Sequence, residues 1–106
     1  MMKTCTAAHL AGAYTDGATV LDVREPDEYV RGHVPGAMLI PLGELPRRTT
    51  EVPRRGPVYV ICASGRRSIA AADILEAAGL DAISVDGGTD AWISQGHDYV
   101  TGPRAR

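Results

Sequence analysis

The sequence predicts an α/β protein built on a parallel sheet, and three observations predict it. Val58-Tyr59-Val60-Ile61 is a short apolar run, rich in β-branched residues and of strand length. Ile69 to Ala78 is alanine-rich and sets Ala71, Ile74, Leu75 and Ala78 at helical spacing, with Asp73 and Glu76 on the wet side. Ala82-Ile83-Ser84-Val85 is a second strand-like run, reached after a C-cap glycine at Gly79. Strand, helix and strand over this length make a βαβ unit, whose strands run parallel with a right-handed crossover.

The chain has 106 residues, enough for one domain and too few for two. A domain of that size buries about two-thirds of its unfolded surface and needs no metal or disulfide to fold. Its composition is ordinary for a globular protein, and a formal net charge of −2 gives no reason to expect nucleic acid or an anionic membrane as partner.

The remaining elements follow in chain order. Met1-Met2-Lys3-Thr4-Cys5 has no apolar leader core and reads as a loose amino terminus. Thr6 can cap a helix over Ala7 to Ala13 with Leu10 and Tyr14 inward, weakened by Gly12. After the Asp16-Gly17 turn, Thr19 to Val23 reads as an interior strand with Asp22 and Arg24 at its carboxyl end. Glu25-Pro26-Asp27-Glu28-Tyr29 starts a helix, because proline suits the first turn and acids there complement the dipole. Tyr29 and Val30 face the core, and Gly32 ends the helix.

His33 to Ala37 is a turn, Met38-Leu39-Ile40 a short strand, and Gly43 to Glu51 holds a short helix around Glu44-Leu45. Arg47, Arg48, Arg54 and Arg55 fall in a proline-punctuated stretch that reads as a solvated face, with docking of an acidic partner as the sharper alternative. Asp86-Gly87-Gly88-Thr89 is a second glycine turn, after which Thr89 or Asp90 can cap a last helix anchored in the core by Trp92. Thr101 to Arg106 reads as a polar, frayed tail, so the core spans about 6–100 of a single domain, 1–106.

Chemistry concentrates between the strand and helix of the βαβ unit, in Cys62-Ala63-Ser64-Gly65-Arg66-Arg67-Ser68. The first turn of a helix offers unpaired N–H groups and partial positive charge, and a loop of small residues can turn further N–H groups inward as an anion-binding nest. Gly65 supplies backbone freedom, and Arg67 adds a full positive charge. A thiol held there ionises more easily than a free one, so Cys62 is a candidate nucleophile and the loop a candidate anion site. The plainer alternative treats Cys62 as a small buried hydrophobe, Gly65 as turn punctuation and the arginines as surface.

Four segments, in order, give the chain a family resemblance: Leu21-Asp22-Val23-Arg24 with Glu25 and Asp27-Glu28-Tyr29; Gly32 to Ala37 with Ile40-Pro41-Leu42; the Cys62-to-Ser68 loop; and Gly87-Gly88 with Ala91-Trp92 and Gly96. Together they span about nine-tenths of the sequence. The chain resembles the rhodanese-like domain, the sulfurtransferase fold. The resemblance implies a small, mainly parallel five-stranded α/β sheet with helices on both faces. It implies that Cys62 carries sulfane sulfur as a persulfide, cradled by the amides of Ala63, Ser64, Gly65, Arg66 and Ser68 with Arg67 as the cationic end. Asp22 and Arg24 would support the pocket rim, as a fold-holding pair rather than as catalysts. Leu39 departs from the polar residue of many members, and His97-Asp98-Tyr99-Val100 replaces a common aromatic-proline turn.

The function expected is transfer of sulfane sulfur from thiosulfate or a persulfide to a thiol or cyanide. The leaving groups are stable anions, so no general acid is needed. Arg66 and Arg67 would favour a dianionic donor such as thiosulfate. A cysteine phosphatase is the nearest rival, but four residues separate Cys62 from Arg67 where the phosphatase pattern has five, and no acid for an alkoxide leaving group is evident. A persulfide carrier or partner-binding module with low turnover, fed by another protein, is the alternative from a different class. His9, His33 and His97 match no ligand spacing, so no metal or cofactor is expected; His33 is expected to fasten its turn. Two cysteines make no disulfide framework, and a reducing cytoplasmic location, with neither membrane nor nucleic acid as partner, is the default.

Overall fold

A computed structural model describes residues 3–106; Met1 and Met2, part of the stretch read for a leader, lie outside the described residues. Five strands form one sheet: β1 (Lys3–Cys5), β2 (Thr19–Asp22), β3 (Met38–Leu39), β4 (Val58–Ile61) and β5 (Ala82–Val85). Their order is β1-β5-β4-β2-β3, and every pairing is parallel. The helices are α1 (Ala7–Thr15), α2 (Pro26–Arg31), α3 (Arg67–Ala77) and α4 (Gly88–Ser94). The short helix expected around Glu44-Leu45 is 3-10 in form, over Leu42–Arg47 and again over Thr49–Glu51, with Pro46 inside the first.

Alternation along the strands creates two cores. Leu21, Val58, Val60 and Ala82 point to one face, where Ala71, Ala72 and Leu75 of α3 and Leu45 cover them. Val20, Tyr59, Ile61 and Val85 point to the other, against Leu10 of α1, Tyr29 of α2 and Trp92 of α4. Burial on both faces explains why β4 reads as a continuous apolar run. Trp92 is the core anchor expected of it, its indole N–H donating to the Asp98 carbonyl at 2.7 Å.

The helix after β2 lies on one face and the helix after β4 on the other. Beyond the carboxyl ends of these adjacent strands the chain must part in two directions, and the crevice left there is where open α/β sheets bind ligands. The Cys62 loop, Asp22 and Arg24 all lie at that edge.

Three expectations need correction. Lys3–Cys5 is not loose: it is an edge strand in register with Ile83–Val85, with Lys3 paired to Asp81. The last helix starts at Gly88, so neither Thr89 nor Asp90 is its cap; Gly87, at φ 75°, holds that place. Thr101–Arg106 is exposed but fastened, not frayed. Gly102 N–H donates to the Val30 carbonyl at 2.8 Å and Gly36 N–H to that of Ala105 at 2.7 Å. Buried His33 does fasten its turn, and also the tail: Nδ1 lies 2.8 Å from the Tyr29 carbonyl oxygen and Nε2 2.8 Å from that of Arg104.

Candidate active site

The site is built at the end of β4, where the loop hands over to α3. Cys62 is buried, continuing the β4 face that α3 covers. Its Sγ accepts the Gly65 N–H at 3.1 Å and the Ser68 N–H at 3.3 Å, and lies 3.6 Å from the Ser68 Oγ. The amides of Ala63, Ser64 and Arg66 donate to no protein acceptor among the described residues. Gly65 makes the turn at φ 102°, and a side chain there would press within 3.0 Å of the Gly87 nitrogen.

The loop is also held from outside. Thr89 N–H donates to the Cys62 carbonyl at 2.8 Å and Asp90 N–H to the Ala63 carbonyl at 3.0 Å. In a trans peptide the N–H points opposite to the C=O, so tying these carbonyls to α4 turns the Ala63 and Ser64 amides away from it. Gly88, at φ 55°, makes this approach possible, since a Cβ there would lie 2.6 Å from the Ala63 carbonyl oxygen and nearer still to that of Cys62.

Burial alone pushes the Cys62 thiol up. The Ser68 hydroxyl and the backbone N–H groups of Ser68, Gly65 and Arg67 outweigh it, and the pKa is held below the ordinary thiol value. Cys5 is the contrast: burial and then the charge of Asp86 push its thiol up, and both cysteines are free thiols. Behind Ser68 stands a residue the sequence reading passed over. Ser84 of β5 is fully buried, with its Oγ 2.7 Å from Ser68 Oγ. A Ser84 hydroxyl donating to Ser68 leaves the Ser68 hydroxyl free to donate to the thiolate. Ser68→Ala will therefore move the midpoint of Cys62 alkylation against pH upward by about one unit, and Ser84→Ala less far in the same direction.

The arginines do not stand as expected. Arg66 is the exposed N-cap residue of α3. The Arg67 guanidinium turns to Glu28 of α2, with Nη1 donating to Oε1 at 2.7 Å and Nη2 to Oε2 at 2.8 Å. Arg67 therefore brings its backbone N–H to the sulfur, while its charge is matched by a carboxylate. The Arg67 hydrogen bonds hold the Glu28 carboxyl down at about 2, so it is ionised at neutral pH. In sequence Glu28 reads as an acid favouring the helix start. That role is real, since Glu28 also accepts the Glu25 N–H at 3.0 Å, but nothing local signals a partner on α3.

Asp22 and Arg24 pair with each other, both buried. The Asp22 carboxylate accepts the Arg24 N–H and Nε–H at 3.0 Å and Nη2–H at 2.8 Å, while Nη2–H also reaches the Gly32 carbonyl at 2.8 Å. The pair locks the end of β2 to the end of α2, the element that carries Glu28. In the arginine stretch, Arg48 is engaged by Glu44 and Glu51 and Arg54 donates to the Ala78 carbonyl.

Beside the loop lies an open cavity of about 260 Å³, lined by Arg24, Glu28, Arg31, Ala63, Thr89 and Asp90 among others. Thr89 behind it is buried, and its hydroxyl has no hydrogen-bond partner. The arrangement can hold an ionised sulfur and present open amides to a second sulfur bonded to it.

Fold and site together define a class: α/β proteins with a parallel sheet and a cysteine-bearing loop of inward-turned amides beyond a central strand. The chain belongs to the rhodanese-like domain family, whose model matches residues 6–95. It is 41% identical over 81 residues to "Putative sulfur carrier protein YrkF" of Bacillus subtilis, covering 76% of this chain and 44% of that protein. The chain thus spans less than half the length of that relative. It is 33% identical over 89 residues to a sulfurtransferase of Allochromatium vinosum, covering 83% of each. The crystal structure of a rhodanese-related protein from Thermoplasma volcanium matches with a TM-score of 0.87 at 37% identity, over 94% of this chain and 99% of that one. Sulfur transfer is the general role this kinship supports. Among the described residues no helix is long and apolar enough to cross a membrane.

Proposed function

We propose that the protein is a sulfurtransferase in which Cys62 moves sulfane sulfur from thiosulfate or a persulfide donor to a thiol or cyanide acceptor. The observation that carries this reading is the Cys62 Sγ seated on the Gly65 and Ser68 amides, with further loop amides open. In the first half-reaction the thiolate attacks the outer sulfur of the donor. The new S–S bond forms as the old one breaks, and sulfite or a thiolate leaves with the electron pair. Cys62 is left as a persulfide, whose terminal sulfur carries negative charge that the open amides of Ala63, Ser64 and Arg66 stabilise. In the second half-reaction the acceptor attacks that terminal sulfur, and Cys62 departs as the thiolate it began as. No proton or external electron is required.

The carrier reading uses the same persulfide and differs only in taking it from a protein donor; the name of the Bacillus relative favours keeping it in view. Mass spectrometry after exposure to thiosulfate, or to a low-molecular-weight persulfide, tests both. One added sulfur atom on the peptide bearing Cys62 is expected, lost again on adding cyanide. An unmodified Cys62 with both donors, together with hydrolysis of an aryl phosphate, would sink the transferase reading in favour of a phosphatase.

A further inference from the structure

We propose that Glu28 is a specificity-determining residue: by matching the charge of Arg67 it makes the site mouth unfavourable to dianionic donors, so that the preferred donor is the persulfide of a small thiol rather than thiosulfate. This rests on the sulfur-transfer reading above and reverses the donor preference expected from Arg66 and Arg67 as sequence alone.

The charges at the mouth come in pairs. Arg67 meets Glu28 fork to fork at 2.7 and 2.8 Å, and Arg24 meets Asp22 at 2.8 Å. Arg31 lies 3.4 Å from Asp27, and its side chain is mostly in solvent. Asp90 lines the same cavity and makes no ion pair among the described residues. Arg66 is exposed and does not line this cavity. A donor entering here meets balanced or slightly negative surroundings, and a dianion loses hydration without gaining a matching cation. A persulfide of a small thiol carries at most one negative charge on the sulfur pair, which the loop amides can meet. Its remainder has the exposed Asp90 carboxylate on the cavity wall to bind, a group suited to a hydroxyl or an amino group.

Glu28→Gln separates charge from structure, because the amide oxygen can still accept the Glu25 N–H while Arg67 becomes an uncompensated cation. The measurement is kcat/KM for thiosulfate and for a low-molecular-weight persulfide, each over a range of salt. The thiosulfate-to-persulfide ratio should rise about tenfold in Glu28→Gln, and the thiosulfate value should fall with added salt as it does not in the unaltered protein. Glu28→Asp, which keeps the charge, should return the ratio towards its original value. A ratio that stays put, or both donors weakening in parallel, overturns the proposal and leaves Glu28 as a structural clamp. If Glu28→Gln does not fold, a steep salt dependence of thiosulfate turnover in the unaltered protein overturns it equally. Absence of a Cys62 persulfide with either donor is a different result: it removes the transfer reading itself, and this inference with it.

Discussion

Cys62→Ser will abolish sulfite release from thiosulfate in the presence of cyanide or a thiol, a loss of more than about a thousandfold. The ring of donors that holds the Cys62 thiol below its ordinary pKa cannot do the same for serine, whose hydroxyl stays protonated and forms no persulfide. The exchange is nearly isosteric at a buried position that already accepts hydrogen bonds, so thermal unfolding should change little beside the loss of activity. The control lies in the same chain. Cys5 sits in β1, its thiol pushed up by burial and by Asp86, and Cys5→Ser should retain turnover. Sulfite release surviving in Cys62→Ser, or vanishing in Cys5→Ser, would move the nucleophile elsewhere.

Gly88→Ala comes second in expected effect and acts without touching a reacting atom. Glycine alone tolerates φ 55° comfortably, and here the new methyl would also drive into the Cys62 and Ala63 carbonyls. Strain and overlap together should cost about 3 kcal/mol, enough to lower the melting temperature by roughly 10 °C or more. Relief is available only if α4 backs away, which breaks the Thr89 and Asp90 hydrogen bonds to the loop. The surviving folded protein should therefore alkylate Cys62 more slowly at neutral pH than the parent does. Unaltered melting and unaltered alkylation would show that α4 does not aim the loop.

How much of this was legible follows from the range of each signal. The βαβ unit, the loop and the helix capped by Thr6 rest on local patterns, and the structure has all three, with the Thr6 hydroxyl accepting the His9 N–H at 3.1 Å. Lys3–Cys5 has three residues and no alternation that could mark a face; it becomes a strand only because β5 offers an unpaired edge. Gly87-Gly88 was readable as a turn, but a helix beginning on a left-handed glycine depends on the carbonyls waiting above it. The tail is polar and mostly exposed, and what pins it are a histidine and backbone groups of distant segments. Charge follows the same rule. Arg67 is visible in sequence as a cation, whereas its pairing with Glu28 bridges two helices that lie on opposite faces of the sheet and meet only beyond the strand ends.

The ties from α4 to the two carbonyls that open the loop also set an order of events during synthesis. The segment that points the Ala63 and Ser64 amides is made well after the segment that contains them. Until the last helix docks, nothing holds the Cys62 and Ala63 carbonyls, and the Ala63 and Ser64 amides have no fixed aim. The cradle for a second sulfur is therefore the last part of the loop to be set, waiting on residues about a quarter of the chain further on.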